Sequence, residues 1–120
     1  MSIRSHYQTH IDVITESIPS AYNPSIDEFV DLLLNCKGKI FFTGVGKNGH
    51  VAAKATSTFS SIGVSCFFID PVDSVHGDMG VINEDDILIA VSKSGNTEEL
   101  IHFLKHVKHK KCKIVSIHSN

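Results

Sequence analysis

No C-x-x-C pair, no apolar run approaching the ~18 residues of a membrane span, and no block of five like charges occurs in this 120-residue sequence. Each absence removes a class. Cys36, Cys66 and Cys112 stand far apart, two of them in or beside apolar strands. They read as reduced core or near-core residues of a cytoplasmic protein, neither a disulfide framework nor a zinc site. The N-terminus, Met1 to His10, is polar and has no signal-peptide core. Residues Lys105 to Lys113 are locally basic but carry no interleaved aromatics, so they predict a solvated helix end and no nucleic-acid surface. His102, His106 and His109 share a helix face with four lysines that repel a cation, so no metal site is expected there. The length fits one small domain with a single core.

What is present is a pattern of helices and strands. Tyr7, Ile11, Ile14 and Ile18 form one stripe of an amphipathic helix, expected to stop at Pro19. Pro24 suits the first turn of a second helix, with Asn23 and Ser25 both suitable caps; Ile26, Phe29, Val30, Leu33 and Leu34 supply its apolar face. Strands are expected at Lys39–Thr43, Val64–Ile69, Ile87–Val91 and Cys112–Ile117, with helices over about 48–61 and 97–109. Between Val72 and Val81 a short helical turn and a loop are expected. Strands alternating with helices of about 10–15 residues predict right-handed βαβ units. The expected fold is therefore a three-layer α/β/α sandwich with a parallel, flavodoxin-like sheet in the order 2-1-3-4, preceded by two helices. Residues 1–37 would form the helices and 38–120 the α/β core of a single domain.

The chain is organised around Ile87–Glu99. Five apolar residues read as a strand buried on both faces, and they end abruptly in Ser92-Lys-Ser-Gly-Asn-Thr97 before a helix start. Loop amides, first-turn N–H groups, three short hydroxyls and the helix macrodipole can converge there on one phosphate. The plainer reading makes Thr97 an N-cap and the serines turn residues.

A second loop, Gly44-Val-Gly-Lys-Asn-Gly-His50, follows the first strand. Gly44-x-Gly46-x-x-Gly49 is the dinucleotide fingerprint, with Asp70 near the place of a ribose-binding acid. A Walker A loop is excluded, because Phe41 stands where its first glycine belongs and Asn48 replaces its Ser/Thr. The third reading is a crevice for one phosphorylated small molecule, gripped by the serine loop and approached by Lys47. In the expected strand order the two loops share one crevice.

Gly44-Val-Gly-Lys-Asn-Gly-His50, Phe67-Phe-Ile-Asp-Pro71, His76-Gly-Asp78 and Ser92-x-Ser-Gly-Asn-Thr-Glu-Glu99, in this order, resemble the sugar isomerase (SIS) domain. Within that family the resemblance is to arabinose-5-phosphate isomerases, and it runs from about Lys37 to the C-terminus. It implies an aldose–ketose isomerase that interconverts D-arabinose 5-phosphate and D-ribulose 5-phosphate through an enediol, without metal or cofactor. It implies that Ser92, Ser94 and Thr97 bind the phosphate, with Gly95 at the turn and Gly44, Gly46 and Asn48 lining the substrate side. Lys47, His76 and Glu99 match active-site positions: Lys47 a cation for the oxygen, Glu99 a base or orienter, His76 a ring-opening or shuttle group. Asn48 stands where these isomerases usually have serine. Family members continue with a further strand and helix, an acid and a histidine past the position of Asn120, so those groups are expected from further chain or a partner subunit. The resemblance also suggests supply of a sugar precursor for a bacterial surface polysaccharide such as lipopolysaccharide. A non-catalytic phosphosugar-binding or sensing module is the competing expectation. The unpaired edge of the last strand further predicts a homo-oligomer, a dimer or tetramer.

Overall fold

The computed structural model describes residues 1–119, in two compact units, Met1–Asn35 and a second from Cys36 onward. The first unit holds two helices. Helix α1 spans Ile3–Ala21 and is capped by Ser2, whose hydroxyl accepts the Ser5 N–H at 3.2 Å. It runs through Pro19, correcting the expected stop. A proline this close to a helix end removes a single intrahelical bond, and the helix closes one turn later with Tyr22 N–H donating to the Ile18 carbonyl at 3.3 Å. Helix α2 spans Pro24–Leu34, with proline at its first position and the Asn23 side chain, rather than Ser25, as the cap.

The second unit is a four-stranded parallel sheet in the order β2-β1-β3-β4. Strand β1 is Ile40–Gly44, β2 Cys66–Phe68, β3 Ile87–Val91 and β4 Lys113–Ile117. Each neighbouring pair is parallel. Helix α3 (Lys47–Ser61) joins β1 to β2, and α5 (Glu98–Val107) joins β3 to β4. Between β2 and β3 lie the short helix α4 (Pro71–Ser74) and a 3₁₀ turn over Asp78–Val81.

Period-two alternation explains the layers. Phe41 and Leu88, in register with each other, point toward α5 and pack in one core with Leu100, Phe103, Val107 and Ile82. The next residue, Phe42, points the opposite way and stacks obliquely on Phe59 of α3, with ring centroids 5.5 Å apart. The sheet is thus covered on both faces, and β1 and most of β3 are fully buried. Of the three cysteines, Cys66 is buried and Cys36 and Cys112 half-buried, all unpaired. Burial, with the negative charge of Asp86 adding to it, pushes the Cys112 thiol above its ordinary value.

The amino ends of β1 and β3 are tied by one carboxylate. Asp86 is 1 % exposed; it accepts the backbone N–H groups of Lys39 and Asn83, each at 2.7 Å, and pairs with the Lys39 ammonium at 3.2 Å. Burial alone would raise its pKa, but the two N–H donors and Lys39 outweigh that, so the carboxyl sits below its ordinary value. A carboxyl whose folded pKa is depressed contributes stability above its unfolded pKa and loses it as pH falls through the folded value. Asp86→Asn is expected to lower unfolding stability at neutral pH by about 2 kcal/mol, measured by urea denaturation. Its stability should also fall less than wild type's on acidification below the ordinary aspartate range. Equal midpoints at neutral pH would show that the carboxylate contributes nothing.

Candidate active site

The carboxyl ends of β1 and β3 lie side by side, with Gly44 in register with Val91. Their chains then diverge, β1 into α3 on one face and β3 into α5 on the other. That is a topological switch point, where open parallel sheets hold ligands.

The first loop is short because its glycines allow close approach. A Cβ on Gly44 would lie 2.8 Å from the carbonyl group of Asn48, and one on Gly49 would lie 2.8 Å from the Gly44 carbonyl oxygen. Strand and helix therefore pack backbone to backbone. Gly46 caps α3 with φ 61°, and apart from its chain neighbours no described residue comes within 4 Å of where its Cβ would be. Lys47 follows as the first residue of α3, exposed, with Asn48 half-buried behind it and His50 exposed. An ammonium at a helix amino end gains nothing from the macrodipole, which leaves its charge available to something else.

The second loop is tied by its own hydroxyls. Ser92 is buried, and its Oγ accepts the Gly95 N–H at 3.1 Å and lies 3.1 Å from the Thr97 Oγ1. The Ser94 Oγ accepts the Asn96 N–H at 3.1 Å. Gly95 turns the chain at φ 72°. Thr97 does occupy the N-cap of α5, but its side chain makes no capping bond. The first-turn N–H groups of α5 therefore have neither an intrahelical nor a Thr97 acceptor. Ser92, Ser94, Gly95 and Asn96 line a hollow of about 340 Å³, within the ~300–1,000 Å³ typical of small-molecule sites. A larger hollow, about 550 Å³, lies instead beside the edge strand β2, against Phe67 and Phe68, and holds none of the loop hydroxyls.

The other expected site residues do not line the serine hollow. Glu99 sits exposed in the first turn of α5 and lines a cleft of about 270 Å³ with Pro71, Val72 and Val75 of the α4 segment. His76 is the next residue, exposed, with its N–H donating to the Asp73 carbonyl at 3.0 Å. Asp70 is occupied in structure: it caps α4, accepting the N–H groups of Val72 at 2.8 Å and Asp73 at 3.0 Å. The rings of His102 and His106 meet edge-on, 4.6 Å apart, and no group of three metal-binding side chains gathers among the described residues.

Two residues escaped the sequence reading. His118, just past β4, lines the serine hollow; only the strand order reveals that β4 ends beside this loop. Thr43, fully buried one residue before Gly44, has a hydroxyl without a hydrogen-bond partner among the described residues. Inside an apolar strand it reads as an ordinary β-branched core residue.

A parallel α/β sheet with two glycine-bearing loops at its switch point belongs to the class of domains that bind small molecules beyond their strand ends. Within that class the chain belongs to the SIS domain family, whose profile matches residues 33–120. It is 40 % identical over 91 residues to an arabinose 5-phosphate isomerase KpsF of Escherichia coli, covering 76 % of this chain and 29 % of that protein. With the arabinose 5-phosphate isomerase KdsD of Francisella tularensis it is 31 % identical over 129 residues, covering 100 % of this chain and 39 % of the relative. The structure of an E. coli CFT073 protein in complex with arabinose 5-phosphate superposes with a TM-score of 0.79 at 28 % identity, covering 100 % of this chain and 67 % of that one. The chain spans about a third of the length of these curated relatives.

The glycine contacts generate a paired prediction. Gly49→Ala places a methyl 2.8 Å from a backbone oxygen that has no side chain to move aside. It should lower the thermal midpoint more than Gly46→Ala, which meets open space and carries only the backbone strain of its positive φ, about 1–3 kcal/mol. The reverse order would mean that strand and helix do not depend on this contact.

Proposed function

We propose that this chain is the phosphosugar-binding and catalytic core of an aldose–ketose isomerase that interconverts D-arabinose 5-phosphate and D-ribulose 5-phosphate. One observation carries the reading. The Thr97 hydroxyl turns away from capping its helix to meet Ser92, so a loop of hydroxyls and an uncapped helix end stand together at the switch point. That is the donor set a phosphate dianion requires. Ser92, Ser94 and Thr97 hold the phosphate, Gly95 shapes the turn, and Gly44, Gly46 and Asn48 leave room for the sugar. The relatives named above support the choice of substrate.

In this reading the phosphate fixes one end of the pentose, so the carbonyl end reaches toward the Gly46–Lys47 loop and the His76–Glu99 side. Isomerisation removes a proton from the carbon beside the carbonyl, leaves negative charge on the oxygen, and returns the proton to the neighbouring carbon. Lys47 is the cation that steadies the oxygen, Glu99 the base or the group that orients it, and His76 the ring-opening or hydroxyl-proton shuttle. The step needs no metal or cofactor. The chain works in the cytoplasm as a homo-oligomer, dimer or tetramer, and serves synthesis of a bacterial surface polysaccharide.

A non-catalytic phosphosugar-binding or sensing module is the second reading. It is favoured by the exposure of Lys47, His76 and Glu99, because proton abstraction of this kind is served by a site that excludes water.

Solvent-hydrogen exchange into ribulose 5-phosphate distinguishes the two. Wild type should exchange the proton beside the carbonyl, and Lys47→Ala and Glu99→Ala should each slow it about 100-fold or more. Ser94→Ala should mainly weaken binding, about tenfold. Binding without exchange in wild type would establish the sensing module instead.

Oligomerisation is supported by exposed apolar side chains on α1 (Tyr7, Ile11, Ile14) and on β4 (Ile114, Ile117). Equilibrium sedimentation should give a multiple of the chain mass, and Ile14→Asp should shift it downward if α1 forms the contact. A monomer at micromolar concentration would end the oligomer reading.

A further inference from the structure

The segment leaving β4 is clamped onto the serine loop. Ser92 N–H donates to the Ile117 carbonyl at 3.0 Å. The Ser119 N–H and hydroxyl both donate to the Lys93 carbonyl, at 3.2 and 2.7 Å. His118 lies between these anchors, so its backbone cannot move without breaking them. Its side chain lines the same hollow as Ser92, Ser94, Gly95 and Asn96. The side-chain base is close enough that a methyl on Gly95 would stand 3.8 Å from Cγ and 3.9 Å from Cβ of the histidine. The left-handed turn at Gly95 thus faces this imidazole directly.

The electrostatics give that placement a use. The lining of the hollow is hydroxyl, amide and apolar, and His118 is its one titratable side chain among the described residues. The first turn of α5 carries two negative charges, Glu98 and Glu99, which line the neighbouring cleft against α4 and not this hollow. Against them the loop itself carries Lys93, and β4 carries Lys113 at its far end. A phosphate dianion seated on neutral hydroxyls gains from a further donor that can also bear positive charge.

We propose that His118 is a phosphate-binding residue of this site. Its ring N–H donates to an oxygen of a small sugar's phosphomonoester, from the β4 side, opposite the N–H groups of α5. The assignment rests on the phosphosugar reading given above and adds a residue to it. It also separates the two loops by task, because His118 and the serine loop hold only the charged end of the ligand.

Isothermal titration of the full chain with ribulose 5-phosphate and, separately, with inorganic phosphate tests this. His118→Ala should weaken both probes by a similar factor, about tenfold. His118→Gln, which keeps an N–H donor, should restore most of the loss. Three results would overturn the assignment: unchanged affinity in His118→Ala, a loss confined to ribulose 5-phosphate, or a glutamine variant no better than alanine with both thermal midpoints lowered. A wild-type chain that binds neither probe overturns the phosphosugar reading together with this residue. Wild-type binding matched by His118→Ala overturns the residue alone.

Discussion

The pairing of β1 with β3 is the constraint on which the site depends. Five residue pairs, from Ile40 with Ile87 to Gly44 with Val91, hold the two strands parallel and level at their carboxyl ends. Because α3 and α5 then leave for opposite faces, the Gly44–Asn48 loop and the Ser92–Thr97 loop both lie at the carboxyl edge of this strand pair. Slip this register by one residue and every inward side chain moves to the wrong face, so the apolar packing of Phe41, Leu88 and Phe42 enforces the geometry that the loops use. At the opposite end of the strands Asp86 secures the same pair, binding the backbone ahead of β1 to the turn ahead of β3.

The two loops reach that edge by different physical means. The first has almost no side chains near the backbone: Gly44 and Gly49 touch main chain to main chain, and Gly46 adopts a conformation that other residues reach only with strain. The second is held by hydroxyls that bond within the loop, which fixes their direction. The tail beyond β4 is bonded to this second loop by Ser119 and Ile117. Two segments distant in sequence, the serine loop and this tail, therefore form one rim.

How much of this was legible beforehand varies with the element. Strand β3 appears at its expected bounds, since five consecutive apolar residues bounded by Asp86 and Ser92 allow no other assignment. Strand β2 is shorter than expected, three residues instead of six: Val64, Ser65 and Ile69 flank the pairing with β1 without joining it. The proline at 19 misled because position within a helix, and not proline itself, decides whether a helix ends. Glycine and serine spacings located both loops, as local backbone requirements are written in residue type. Glu99, by contrast, is brought beside the α4 segment by packing alone, although it follows His76 by 23 positions.

By itself the sequence determined the elements, the glycine and hydroxyl loops and the alternation of strand and helix, because these follow from periodicity and from single-residue backbone preferences. The tertiary structure alone decided the partners: the Thr97 hydroxyl meeting Ser92 instead of its helix, the Thr43 hydroxyl left without a partner among the described residues, and His118 drawn to the Gly95 turn. Such meetings depend on which strand ends lie side by side, and no local pattern encodes a distance between segments that only the folded sheet brings into contact.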